Sequence, residues 1–237
     1  MADEKRYNLC QVVFKDKEII HDTLKITRKF LEGMEETAEI INTATLNAEP
    51  CHACYSCWTK TKGKCVINDK VSEVLEKMRK ADLIIWSVPL YCYSAPSHCK
   101  ALMDRTLCFN SPLMYTDKNG ISHHYGYEEG TKKVVLILSG GLPDVKGNFD
   151  GLVFQLKHMF GENTATVLCA ESSLFLYPET ENLTYPYLET VKKAGAEYKA
   201  NGKITEETQK ILDTPMIPKE LYIKNSNAAF SKNTLSD

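Results

Sequence analysis

The chain is 237 residues long and carries 29 Lys and Arg against 31 Asp and Glu, a formal net charge of −2. That length can bury a full core as one large domain with appendages, and the charge balance gives no electrostatic case for nucleic acid as a partner. The start MADEKRYN lacks the apolar segment of a secretory leader, and no apolar run reaches membrane-span length, so the reading is a cytoplasmic protein without membrane contact.

In chain order, Asn8 to Phe14 reads as a first strand and Thr23 to Glu36 as a helix with Leu24, Thr27, Phe30, Leu31 and Met34 on one face. Ala38 to Thr43 is a short second strand. A cysteine-rich loop follows, then a helix from Asp69 to Lys80 with Val71, Val74, Leu75 and Met78 turned inward. Leu83 to Val88 is an apolar run of the kind buried on both faces of a parallel sheet, and Pro89 stops it because proline has no N–H to donate. Leu90 to Ser94 must then leave the sheet at its carboxyl edge, and Ala95 or Pro96 opens a helix that runs to Cys108. Asn110 to Thr131, rich in Gly, His and Tyr with no clear period, reads as a long excursion near that edge. Val134 to Leu138 is a fourth strand ended by Ser139, Gly140 and Gly141; Phe149 to Phe160 is a helix and Thr166 to Ala170 a fifth strand. Tyr187 to Asn201 and Thr205 to Leu212 are helical and trail into MIPKELYIKNSNAAF. Alternating strands and helices predict an α/β fold: a doubly wound parallel sheet over residues 1–186, with 187–237 as a C-terminal helical extension of the same domain.

Open sheets of this kind bind ligands where a strand ends in a loop and turns into a helix. Tyr91, Cys92, Tyr93 and Ser94 in that loop suit a flat aromatic ligand that needs stacking and a few polar contacts. On its own the stretch reads more readily as an ordinary strand–helix connection.

Four of the nine cysteines fall in the stretch Cys51 to Cys65: Cys51, Cys54 and Cys57 are each separated by two intervening residues, and Cys65 follows after a gap of seven. In a reducing compartment this favours metal or redox use, or plain buried thiols, over disulfides. Three close thiolates and a fourth at loop distance can surround a cubane iron–sulfur cluster; a zinc ion is the second option, and no metal the third. His52 reads as a loop residue, and Trp58 with Lys60, Lys62 and Lys64 as the loop's exposed outer arm.

CHACYSCWTKTKGKCVINDK followed by ADLIIWSVPLYCYSAPSHCKALMDR, with LILSGGLPDVKGNFDGL further on, resembles the flavodoxin-like NAD(P)H-dependent FMN reductases, in the branch that includes the iron–sulfur flavoproteins. The resemblance reaches the tail AGAEYKANGKITEETQKIL and so covers nearly the whole chain. It implies a five-stranded sheet of order 2-1-3-4-5 with FMN at its carboxyl edge. Thr23 would lie at the phosphate, Pro89, Leu90, Tyr91, Cys92, Tyr93 and Ser94 would cradle the isoalloxazine, and Ser139, Gly140, Gly141 and Leu142 would cover its other edge. It also implies Cys51, Cys54, Cys57 and Cys65 as ligands of a 4Fe–4S cluster in the iron–sulfur branch, where other relatives carry similar cysteines and no cluster. Hydride would come from NAD(P)H and electrons would pass to a quinone, an azo or nitro compound or a redox protein, with Tyr91, Tyr93 and the His123-His124-Tyr125 excursion lining the acceptor pocket, although His123 and His124 read more readily as part of a solvated loop than as catalytic residues. A homodimer or tetramer is the implied assembly.

The chain departs from that pattern at its first loop. The family's Gly-Ser-Pro start, whose amides grip phosphate, is replaced by FKDKEIIHDT from Phe14 to Thr23. Phe14, Ile19 and Ile20 bring bulk where glycine lets backbone approach, and Asp16 and Glu18 bring charge of the wrong sign, which Lys15, Lys17 and His21 partly offset. A second reading follows: a flavin-less flavodoxin-like scaffold or regulatory subunit that could still hold a cluster.

Overall fold

The computed structural model describes residues 9–13, 22–127, 133–161 and 164–234. The departure at Phe14 to His21 lies outside the described residues.

Strands β1 (Leu9–Val13), β2 (Glu39–Asn42), β3 (Leu83–Pro89), β6 (Lys133–Ser139) and β7 (Ala165–Cys169) form one parallel sheet of order β2-β1-β3-β6-β7. Numbered within the sheet alone, the order is 2-1-3-4-5. Every residue of β3 is buried, because helices cover both faces; a short further helix, α2 (Ser56–Thr59), lies within the cysteine loop. Ile84, Trp86 and Val88 point to one layer, with Val74 and Met78 of α3 (Lys70–Lys80), Leu102 of α4 (Ser97–Arg105) and Leu152 of α5 (Asp150–Phe160). Leu83 and Ile85 point to the other, with Phe30 and Met34 of α1 (Asp22–Met34) and Val191 and Tyr198 of α6 (Glu181–Asn201). This alternation is the period of two that a strand imposes on its side chains. The face predicted for α1 is buried: Leu24, Thr27, Phe30, Leu31 and Met34 are all at most 7 % exposed.

Three sequence expectations change. The helix from Pro96 shortens to Ser97–Arg105 and continues as a 3₁₀ turn over Thr106–Phe109. Residues 110–126 are an antiparallel hairpin of β4 (Asn110–Thr116) and β5 (Ser122–Gly126), where the sequence suggested an irregular excursion. Its turn is sealed by Asp117, whose Oδ1 accepts from Asn119 N at 2.8 Å and Ile121 N at 2.9 Å, with Gly120 at φ +80°. Both hairpin faces meet solvent along Leu113, Met114, Tyr115 and Tyr125, so no one-sided apolar alternation marks them. Finally, α6 begins at Glu181 and carries Pro186 within it, α7 spans Glu206–Leu212, and the tail forms a further helix, α8 (Lys219–Thr234).

Candidate functional site

Because β3 and β6 run in register from Leu83 opposite Lys133 to Pro89 opposite Ser139, they end at the same level. The loops that leave them start side by side. Leu90 N–H donates to Ser139 O at 2.7 Å, and Gly140 N–H donates to Cys169 O at 2.9 Å. A Cβ on Gly140 would stand 3.0 Å from the Phe149 ring and 3.5 Å from Leu90, so any larger residue would have to push the Phe149 ring aside to keep this backbone between them. From the other side, Thr23 in the first turn of α1 shares a hydrogen bond with the Ser139 hydroxyl, and Thr27 Oγ1 lies 2.8 Å from Ser87 Oγ. Thr23, Pro89, Leu90, Ser139 and Gly140 thus converge at the carboxyl edge. Thr23 is 1 % exposed and its hydroxyl is engaged, leaving its backbone at the helix start as the part that can meet a ligand.

The loop after β3 holds a tight turn. Tyr91 and Ser94 exchange backbone hydrogen bonds of 2.8 and 2.9 Å, and between them Cys92 (φ +48°) and Tyr93 (φ +63°) are both left-handed without being glycine. Such residues each cost about 1 kcal/mol or more. The turn lifts three side chains into the open: Tyr91, Cys92 and Tyr93 are all exposed, the two tyrosines at 46 % and 60 %. The N–H groups of Cys92, Tyr93, Gly141 and Leu142 have no hydrogen-bond partner among the described residues. Exposed tyrosine rings, a glycine cradle and open amide donors at one sheet edge fit a flat heteroaromatic ring with polar margins.

The cysteine loop forms a second locus. Cys51, Cys54, Cys57 and Cys65 line one small cavity of about 20 Å³ with Arg105, and Cys108 closes its inner side. No group of three or more His, Cys, Asp or Glu among the described residues is already drawn together around one metal-ion position. Four thiols around one cavity do match the donor set of a four-cysteine cluster, in which the sulfurs ligate different irons. Cys57 is buried, and burial pushes its thiol pKa up; Cys54 is exposed, and the hydrogen bonds from Ser56 pull its thiol down. Trp58 is not the outer arm the sequence suggested. It is half-buried, packs against the core and sits between Tyr55 and His124, with both ring centroids at 5.0 Å. Lys60, Lys62 and Lys64 are exposed as expected, and exposed His52 stands 3.1 Å from Glu49.

Arg105 is the residue that sequence reasoning passed over. Its guanidinium is fully buried and donates from Nε to Cys65 Sγ (3.0 Å), from one terminal nitrogen to Glu49 O (2.9 Å) and Asp69 Oδ2 (3.0 Å), and from the other to Ile67 O (3.1 Å) and Asp69 Oδ1 (2.9 Å). Burial alone would disfavour a charged Asp69, but Arg105 outweighs it and holds that carboxyl below the usual aspartate range. Asp69 also caps α3 by accepting from Ser72 N at 3.2 Å. One arginine therefore ties both ends of the cysteine loop to the start of a helix. The only signal available beforehand was a charged residue at the end of an otherwise inward-facing helix.

The hairpin histidines face different neighbours: His124 packs on Trp58 of the cysteine loop, ring centroids 5.0 Å apart. His123 meets His158, ring centroids 5.0 Å apart, in the last turn of α5. That helix starts at the carboxyl edge and its 11 residues run back by about 16 Å, which separates His123 from the loop after β3.

A family model described as a flavodoxin-like fold matches residues 13–168. The chain belongs to this flavodoxin-like family. Among curated proteins it is similar to an iron–sulfur flavoprotein of Methanocaldococcus jannaschii, 43 % identical over 75 residues that make up 32 % of this chain and 37 % of that one. It is also similar to an FMN-dependent NADH:quinone oxidoreductase of Hydrogenovibrio crunogenus, 37 % identical over 70 residues, 30 % of this chain and 33 % of that protein. The aligned stretches span less than half the length of either relative. Among solved structures, an NAD(P)H:quinone oxidoreductase from Methanothermobacter marburgensis superposes with a TM-score of 0.55 at 15 % identity, covering 79 % of this chain and 97 % of that one. At that identity the likeness concerns the flavodoxin-like fold. No helix among the described residues is long and apolar enough to cross a membrane.

Proposed function

We propose that this flavodoxin-like protein is an FMN-dependent NAD(P)H oxidoreductase that delivers electrons to a small-molecule acceptor such as a quinone, an azo or a nitro compound, or to a redox protein. The observation that carries the reading is the shared ending of β3 and β6, which sets the Tyr91–Ser94 turn beside Gly140 and Gly141, with the N–H groups of Cys92, Tyr93, Gly141 and Leu142 unpartnered among the described residues. Pro89, Leu90, Tyr91, Cys92, Tyr93 and Ser94 would hold one side of the isoalloxazine and Ser139, Gly140 and Gly141 the other, with the backbone at Thr23 toward the phosphate. Bound flavin would supply the hydride and electron chemistry; the chain's own part is to orient the ring and screen it. Cys51, Cys54, Cys57 and Cys65 would ligate a 4Fe–4S cluster, a one-electron relay, with Arg105 fixing Cys65. The named relatives support both assignments. The acceptor would reach the ring past Tyr91 and Tyr93. A homodimer or tetramer is supported by the exposed Leu113, Met114 and Phe154, each at 67 % exposure or more. We place it in the cytoplasm, as one domain with residues 187–237 as its extension.

The test is anaerobic purification with flavin and iron assays. The expected result is yellow protein that releases FMN on heating, holds about four irons per chain and loses flavin retention in Tyr91→Ala. Colourless protein that takes up no added FMN would favour the scaffold reading, which the bulky Phe14, Ile19 and Ile20 of the first loop motivate.

A further inference from the structure

The family model ends at residue 168, yet the chain beyond it grips the loop that follows β6. Three successive carbonyls of that loop are held by residues from the C-terminal part. Gly140 O accepts from Ser172 N at 3.0 Å, Gly141 O from the Tyr222 hydroxyl at 2.6 Å, and Leu142 O from Glu171 N at 3.0 Å. In a trans peptide the N–H points opposite to the preceding carbonyl. Fixing Gly140 O and Gly141 O toward the C-terminal helices therefore turns the N–H groups of Gly141 and Leu142 the other way, where no protein group among the described residues receives them.

Tyr222 is itself well fixed. It sits on α8, is 5 % exposed, and its oxygen also bonds to the Ser173 hydroxyl. The approach of α8 is anchored twice more: Glu171 Oε2 accepts from Met216 N at 2.6 Å, and Lys219 pairs with Asp144 at 2.8 Å. The segment Glu171–Ser173 and the tyrosine thus form one clamp on the outer side of the loop.

We infer that Tyr222 is a positioning residue, which aims the Gly141 and Leu142 N–H groups as a pair of hydrogen-bond donors at the acceptor-rich edge of the bound ligand. This rests on the flavin reading above, in which that ligand is FMN. Tyr222 acts through the backbone of Gly141, to whose carbonyl its hydroxyl donates.

Tyr222→Phe removes the hydroxyl and keeps the ring that fills the space. Three measurements on the full-length protein are made: thermal melting to verify the fold, amide hydrogen exchange at Glu171 and Ser172 without flavin, and FMN titration. The variant loses the bonds to Gly141 O and to Ser173; loss of the one to Gly141 O, about 1 kcal/mol, predicts FMN affinity lower by roughly fivefold and a changed midpoint potential of the bound flavin. Exchange at Glu171 and Ser172, whose N–H groups are held by the same loop, should quicken even with no ligand present. Unchanged exchange in the variant would overturn the clamp. Quicker exchange with FMN affinity and potential equal to wild type would overturn the aiming of the amides. Failure of the wild-type protein to bind FMN, seen without any variant, overturns the flavin reading and this ligand with it.

Discussion

Arg105 has five N–H groups and the fold uses each of them on a different acceptor atom. Lysine offers a single point of charge with three donors and cannot span Cys65, Glu49, Ile67 and the Asp69 carboxylate together. We expect Arg105→Lys to lower stability by about 3 kcal/mol, the scale for breaking a buried ion pair, and to leave the cysteine loop open to protease; urea unfolding and limited proteolysis measure both. Asp69 sets a pH dependence of definite sign. Its pKa is depressed in the fold, so its contribution is complete above the ordinary aspartate value of about 3.9 and is lost as pH falls through the lower folded value. Unfolding free energy should drop steeply below about pH 4 in wild type and less steeply in Asp69→Asn; equal slopes would mean the pair contributes nothing.

At the scale of elements, the closest contact is backbone against backbone. A Cβ on Gly33 would stand 1.8 Å from Lys192 O, and one on Gly195 would stand 2.0 Å from Phe30 O. Helices α1 and α6 can meet this closely only because both positions lack a side chain, and the approach buries Phe30, Val191 and Tyr198 between them. Gly195→Ala should force the helices apart at a cost of about 2 kcal/mol, or roughly 4–8 °C in melting temperature; an unchanged melting temperature would mean the helices slide without penalty. Legibility follows the same logic of faces. Helix α3 was readable because Val71, Val74, Leu75 and Met78 share one buried side and Asp69 caps its start. The hairpin and α8 were not, since Leu113, Met114, Leu221 and Phe230 are exposed and a two-sided or mostly open element leaves no period to detect. Within the site, the strand end at Pro89 was visible from proline chemistry. The turn at Cys92 and Tyr93 was hidden, because left-handed backbone is ordinarily announced by glycine or asparagine.

For the whole molecule, the two layers on the sheet and the C-terminal helices close over one carboxyl edge, so residues far apart in sequence fix the same few ångströms of backbone. The Tyr91–Ser94 turn shows what that entails. Two left-handed residues with side chains would relax elsewhere if released, so the turn keeps its shape only while β3, β6 and α5 are all in place around it. Damage to any of these three elements therefore frees the turn to relax, and the backbone geometry around Tyr91 and Tyr93 becomes a readout of structural integrity.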